Sequence, residues 1–106
     1  MKDSIKEIWV FGDYRNYFQN RVTLQLLSRA TELAKMLQAK VCAVVFGDQV
    51  DEWVNEYIAH GADRVLVIDH PDLKNYKIET YVNLMIRLIG KQRPEIILVG
   101  ATNFGR

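Results

Sequence analysis

The sequence predicts a three-layer α/β domain of the nucleotide-binding type, built on a parallel sheet and incomplete after its fourth strand. Three observations predict it. Short apolar runs alternate with helical patterns in the order strand, helix, strand, helix, strand, helix, strand, the signature of right-handed crossover units. Two of the runs are continuous rather than alternating, as suits strands covered on both faces. The 106 residues suffice for one domain and not for two.

The predicted strands are Ile5 to Phe11, Lys40 to Phe46, Arg64 to Ile68 and Glu95 to Val99. The second, with Val41-Cys-Ala-Val-Val-Phe46, and the fourth, with Ile96-Ile-Leu-Val99, are the continuous ones, and β-branched residues favour strand over a short buried helix. The first helix is predicted over 22–37, with Val22, Leu26, Ala30, Leu33 and Leu37 on its buried face and Asn20 as its N-cap. The second runs from about Gln49 to His60, capped by Asp48 and ended by Gly61 in a left-handed conformation. The third passes through Ile78, Val82, Met85 and Ile89 and stops before Pro94.

Composition narrows the function classes. Fourteen basic and thirteen acidic side chains leave a formal net charge of +1, which argues against nucleic acid as main partner and gives no polybasic membrane anchor. No apolar stretch approaches the roughly 20 residues of a membrane span, and Met1-Lys-Asp-Ser-Ile5 does not open a signal peptide. The single cysteine, Cys42, points to a reduced, cytoplasmic setting.

In parallel sheets, ligands sit at the carboxyl ends of the strands. Here those ends lead into Gly12-Asp-Tyr-Arg15, Gly47-Asp48, Asp69-His-Pro-Asp72 and Gly100-Ala-Thr-Asn-Phe-Gly-Arg106. Gly12 stands alone where a dinucleotide fingerprint needs three glycines, so it is read as a turn residue. Gly100 to Arg106 has a phosphate loop's glycine spacing but lacks its Lys-Ser/Thr pair, which excludes a Walker-type triphosphatase. Gly100, Thr102, Asn103, Gly105 and Arg106 can contact a phosphate or polar cofactor, or simply turn into the next helix; the residues leave both open. Asp69, His70 and Asp72 are metal-capable types in an ordinary turn sequence, and His60 suits a helix C-terminus. Asp13 to Tyr17 reads as a solvated polar loop, and Trp9 and Trp53 as packing residues. No nucleophile–base–acid set can be assembled, so a binding or carrier module fits better than a self-contained enzyme.

Four stretches carry a family resemblance: Ile8-Trp-Val-Phe11, Val22-Thr-Leu-Gln-Leu-Leu27 leading into Ala30-Thr-Glu-Leu-Ala34, Ala59-His-Gly-Ala-Asp-Arg-Val65, and Pro94-Glu-Ile-Ile-Leu-Val-Gly-Ala-Thr-Asn-Phe-Gly-Arg106. Together they resemble the N-terminal domain of the α subunit of electron-transfer flavoprotein, over essentially the whole chain. The last stretch is the most specific, because the family places Gly-Ala-Thr, two variable residues and Gly-Arg after this strand. The loop from Asp13 to Asn20 departs from the family's glycine-containing loop, and no contact is carried over there.

The resemblance implies a Rossmann-like fold of the adenine-nucleotide α-hydrolase type, with residues 1–106 as a single incomplete domain and a C-terminal FAD domain absent. It implies a subunit that passes electrons from dehydrogenases through FAD to an acceptor without transforming a substrate. FAD belongs to the complete subunit, and this domain scaffolds the heterodimer with the β subunit. In members that carry a second FAD, the resemblance places Thr102 or Arg106 towards that flavin. The competing expectation is a stand-alone adenine-nucleotide-binding module of the universal-stress-protein type. An edge or face left uncovered on the four-stranded sheet further predicts that the isolated chain self-associates or is marginally stable.

Overall fold

In the computed structural model, residues 6–12, 17–47, 50–69 and 78–99 are described. The elements follow in order as β1 (Glu7–Phe11), α1 (Tyr17–Leu37), β2 (Lys40–Gly47), α2 (Asp51–Ala59), β3 (Arg64–Asp69), α3 (Ile78–Gln92) and β4 (Ile96–Leu98). The sheet has the order β3-β2-β1-β4 and every pairing is parallel. The predicted alternation and the parallel sheet are therefore both present.

Strand parity divides the core into two layers, because successive side chains of a strand point to opposite faces. Ile8, Val10, Val41, Ala43 and Val45 pack on one face with Leu27, Ala30 and Ala34 of α1 and Tyr57 of α2. Trp9, Phe11, Cys42, Val44 and Phe46 pack on the other with Met85 of α3. All residues of β2 after Lys40 are buried, as its continuous apolar run predicts, whereas β4 is half-buried along its length. The difference follows from position: β2 has a strand on either side, and β4 is an edge. Trp9 is wholly buried and Trp53 packs against the first core layer, so both are packing residues as expected.

Two expectations about α1 are corrected. The helix begins at Tyr17, five residues before Val22, and Asn20 lies inside it. Asn20 does not cap the helix, because its side chain is engaged with Tyr57 and Glu56 of α2. The stripe turned onto the sheet is also a different one. Thr23, Leu27, Ala30 and Ala34 are buried, while Val22, Leu26 and Leu33 are half-buried and Leu37 is exposed. Small residues let the helix axis approach the strands closely, and the larger aliphatics are displaced to its flank. Ala30 is the one residue common to both stripes.

The second helix starts after Val50, which offers no side-chain cap; Asp48 lies outside the described residues. Gly61 ends that turn with φ +118°, where a Cβ would come within 2.6 Å of Thr31 Oγ1 on α1. Only glycine meets both demands without strain. His60 stands at the helix end and is exposed, its Nδ1 2.9 Å from the Glu56 carbonyl oxygen. The third helix stops at Gln92, before Pro94 as predicted.

Candidate functional site at the carboxyl ends of the strands

Because all four strands are parallel, their carboxyl ends share one edge of the sheet. The chain proceeds from β1 outward to β2 and β3, then returns to the opposite flank of β1 as β4. The gap between β1 and β4 is thus the topological switch point, the place where open α/β sheets leave a crevice for ligands. Their register pairs Val10 with Leu98. Gly12 and Gly100 each follow two residues later in the sequence.

Gly12 closes β1. Its N–H donates to the Val44 carbonyl at 2.8 Å. A Cβ here would lie 2.7 Å from Tyr57 Cε2, 3.1 Å from Val45 Cγ2 and 3.3 Å from the Val44 carbonyl oxygen. The glycine is therefore required by a close approach of protein to protein, and its missing side chain makes room for the Tyr57 ring. The expectation of a plain turn residue understates it.

Tyr57 is fully buried in α2, and its hydroxyl donates to Asn20 Oδ1 at 2.7 Å. Asn20 Nδ2 donates in turn to Glu56 Oε1 at 3.0 Å. The chain Tyr57–Asn20–Glu56 ties the first turns of α1 to α2 beneath the carboxyl edge. A buried amide needs such partners, since an unsatisfied polar group in the core costs about 1–3 kcal/mol. Sequence reasoning missed this network. One signal was available, because Asn20, Thr23, Leu27, Ala30 and Ala34 share one face at helical spacing.

At the opposite edge, Glu7 accepts two hydrogen bonds from Arg64, from Nε at 2.5 Å and from a terminal nitrogen at 2.6 Å. Arg64 also donates to Gln92 Oε1 at 2.9 Å, and Trp9 Nε1 donates to Glu7 at 3.2 Å. The Arg64 guanidinium holds the Glu7 carboxyl below its ordinary range, against the opposing effect of burial, and Glu7 raises Arg64. This arrangement clamps β1 to β3 and α3 beneath Cys42. It is an ion pair between β1 and β3. Burial pushes the Cys42 thiol up to about 11.

The residues singled out for cofactor contact, Gly100, Thr102, Asn103, Gly105 and Arg106, lie outside the described residues, as do Asp13 to Asn16, His70 and Asp72. Among the described residues, no group of three or more metal-capable side chains converges. Those residues also form no flavin cradle at the end of β1, because the Tyr57 ring fills the space beside Gly12. A groove of about 430 Å³ runs between α1 and β4, lined by Val22, Leu26, Leu33, Met36 and Leu98 with Gln25, Arg29 and Glu32. Its aliphatic walls do not suit a phosphate-bearing cofactor. No helix among the described residues is long and apolar enough to cross a membrane.

A family model described as electron transfer flavoprotein domain matches residues 8–106. The chain is 36% identical to the acryloyl-CoA reductase electron transfer subunit beta of Anaerotignum propionicum, over 98% of its own length and 28% of that protein. It is 32% identical to the electron transfer flavoprotein subunit alpha of Clostridium acetobutylicum, over 99% of its length and 31% of the relative. It is 38% identical to the lactate dehydrogenase (NAD(+),ferredoxin) subunit LctC of Acetobacterium woodii, over 99% of its length and 25% of that protein. The chain thus spans a quarter to a third of the curated relatives it matches.

Proposed function

The chain belongs to the electron transfer flavoprotein domain family, and from that premise we propose that it is the N-terminal scaffold of an electron-transfer flavoprotein α-type subunit. The subunit passes electrons from dehydrogenases to an acceptor in the cytoplasm, in complex with a β subunit. The bound FAD supplies the redox chemistry, and protein groups place it and tune its potential. Residues 1–106 constitute one domain that performs no substrate transformation. The single observation that carries this reading is the family match over 8–106, which includes the strand leading into Gly-Ala-Thr and Gly-Arg. It favours the electron carrier over a stand-alone adenine-nucleotide module.

The switch-point topology supports a role for Gly100, Thr102, Asn103, Gly105 and Arg106, because they follow β4 in the sequence and β4 pairs with β1 at the switch point. Their part is to present backbone N–H groups and one guanidinium to a flavin's polar edge or phosphate. The described residues supply no cradle of their own, so no step is assigned to them.

Titration of the chain with FAD and with AMP, alone and with a β-type partner, tests the reading. The expected result is no tight AMP binding alone and formation of a complex with the partner. Tight AMP binding by the isolated chain would point to the adenine-nucleotide module instead. For the loop, Arg106→Ala in the complete α/β complex should shift the spectrum or potential of a bound flavin. An unchanged spectrum and potential would remove Arg106 from the cofactor site.

A further inference from the structure

We propose that Tyr57 of α2 is the positioning residue of the switch-point crevice, because its one side chain holds both ends of the connection between β1 and α1. Gly12 is the last described residue before that connection, and Asn20 lies in the first turn of the helix after it. The bare Cα of Gly12 faces the Tyr57 ring, where a Cβ would lie 2.7 Å from Cε2. The Tyr57 hydroxyl donates to Asn20 Oδ1 at 2.7 Å. Ring and hydroxyl thus serve opposite ends of the connection.

The post itself is fixed. Tyr57 is wholly buried, and its backbone carbonyl accepts from the Ala62 N–H at 3.1 Å. Asn20 Nδ2 donates to Glu56 Oε1 at 3.0 Å, so both polar ends of the amide are committed to α2. Turning the amide over would break both bonds. Gly61 lies against Thr31 at the end of α2, which gives α2 a second bearing on α1. On the strand side, the Gly12 N–H donates to the Val44 carbonyl at 2.8 Å. A binding crevice keeps its shape only where the elements beside it are locked by their own support. Here one residue supplies that support to entry and exit alike. This role of Tyr57 concerns what supports the crevice, not what fills it, and it stands or falls independently of the flavoprotein reading.

The test is residue-resolved amide hydrogen exchange of the folded chain, under conditions where exchange proceeds by local opening and does not respond to low denaturant. Tyr57→Phe keeps the ring and removes the hydroxyl. It should speed exchange at Arg21 and Val22 about tenfold and leave Gly12 unchanged. Tyr57→Leu removes the ring as well, and should speed Gly12 together with Arg21 and Val22. Arg64→Ala, at the opposite edge of the sheet, should lower global stability and leave these three amides at the wild-type rate. Unchanged exchange at Arg21 and Val22 in Tyr57→Phe overturns the proposal, even if Tyr57→Leu fails to fold. So does acceleration of the three amides by Arg64→Ala, because they would then report only the stability of the whole domain.

Discussion

The two edges of the sheet are tied down by different chemistry. At the amino edge, Glu7 and Arg64 form a charged clamp between β1 and β3, with Gln92 and Trp9 as further partners. At the carboxyl edge, a neutral ring, an amide and a glycine do the same for α1, α2 and β1. The clamp is partly exposed, with the Arg64 side chain at 40%, and solvent weakens what it contributes. Tyr57 is fully buried, so its contacts are worth more and tolerate less change. The carboxyl edge is thus held from beneath by tight packing.

The largest effect should come from the tightest contact. Gly12→Ala puts a methyl group 2.7 Å from Tyr57 Cε2 and 3.3 Å from a backbone oxygen, and the backbone atom cannot swing away. Overpacking of this kind costs about 2 kcal/mol, read as a lower urea midpoint at unchanged slope. An unshifted midpoint would mean that the Tyr57 ring yields freely, and the two edges would then differ less than their geometry suggests.

The hydroxyl of Tyr57 comes next. Tyr57→Phe keeps the ring and removes the donor, leaving Asn20 Oδ1 short of a partner in the core. A loss of about 1–2 kcal/mol follows. Pairing it with Asn20→Leu should recover part of that loss, because the orphaned amide is gone. A double variant that is no more stable than the sum of the single losses would break the network reading.

How far these features were legible depends on their range in sequence. The strands, the parallel sheet and the end of α3 before Pro94 follow from local periodicity and punctuation, while the strand order does not. Gly61 was legible as a left-handed residue, though not its approach to Thr31. The start of α1 was misplaced because Asn20 has an N-cap's chemistry and uses it across 37 residues, on Tyr57. The buried face of α1 was misplaced because hydrophobic size was taken for burial, while the close sheet contact selects Thr23, Ala30 and Ala34. The Glu7–Arg64 pair spans 57 residues, and no local pattern links them. The candidate loop Gly100 to Arg106 was legible as a family motif, and it lies outside the described residues.

The clamp should show a smaller effect, confined to acid. Glu7 has its folded-state pKa lowered by Arg64, so its contribution is present above the ordinary glutamate value and lost as pH falls through the folded one. Stability should therefore decline as pH drops below about 4.3. Glu7→Gln should cost about 1 kcal/mol or less at neutral pH, since Arg64 is partly exposed, and should flatten this acid dependence. An equally steep decline in the variant would assign the acid sensitivity to other carboxylates.

Cys42 offers the finest comparison, because it lies on β2 directly above the clamp and is wholly buried. With its thiol pushed up to about 11, about one thiol in a thousand is ionised at pH 8, and the thiolate is the reactive form. Labelling by a thiol reagent in the folded state should therefore be slow and report openings of the surrounding structure. If the clamp merely adds stability, Arg64→Ala should speed labelling only in proportion to its lower unfolding free energy, as Gly12→Ala should. If the clamp also gates the amino edge, Arg64→Ala should speed labelling beyond that proportion, while Gly12→Ala stays on it. The expected outcome is the second, since Arg64 joins β3 to β1 and α3 across the face on which Cys42 is buried. Both variants falling on one line of rate against stability would show that the amino edge opens only when the whole domain does.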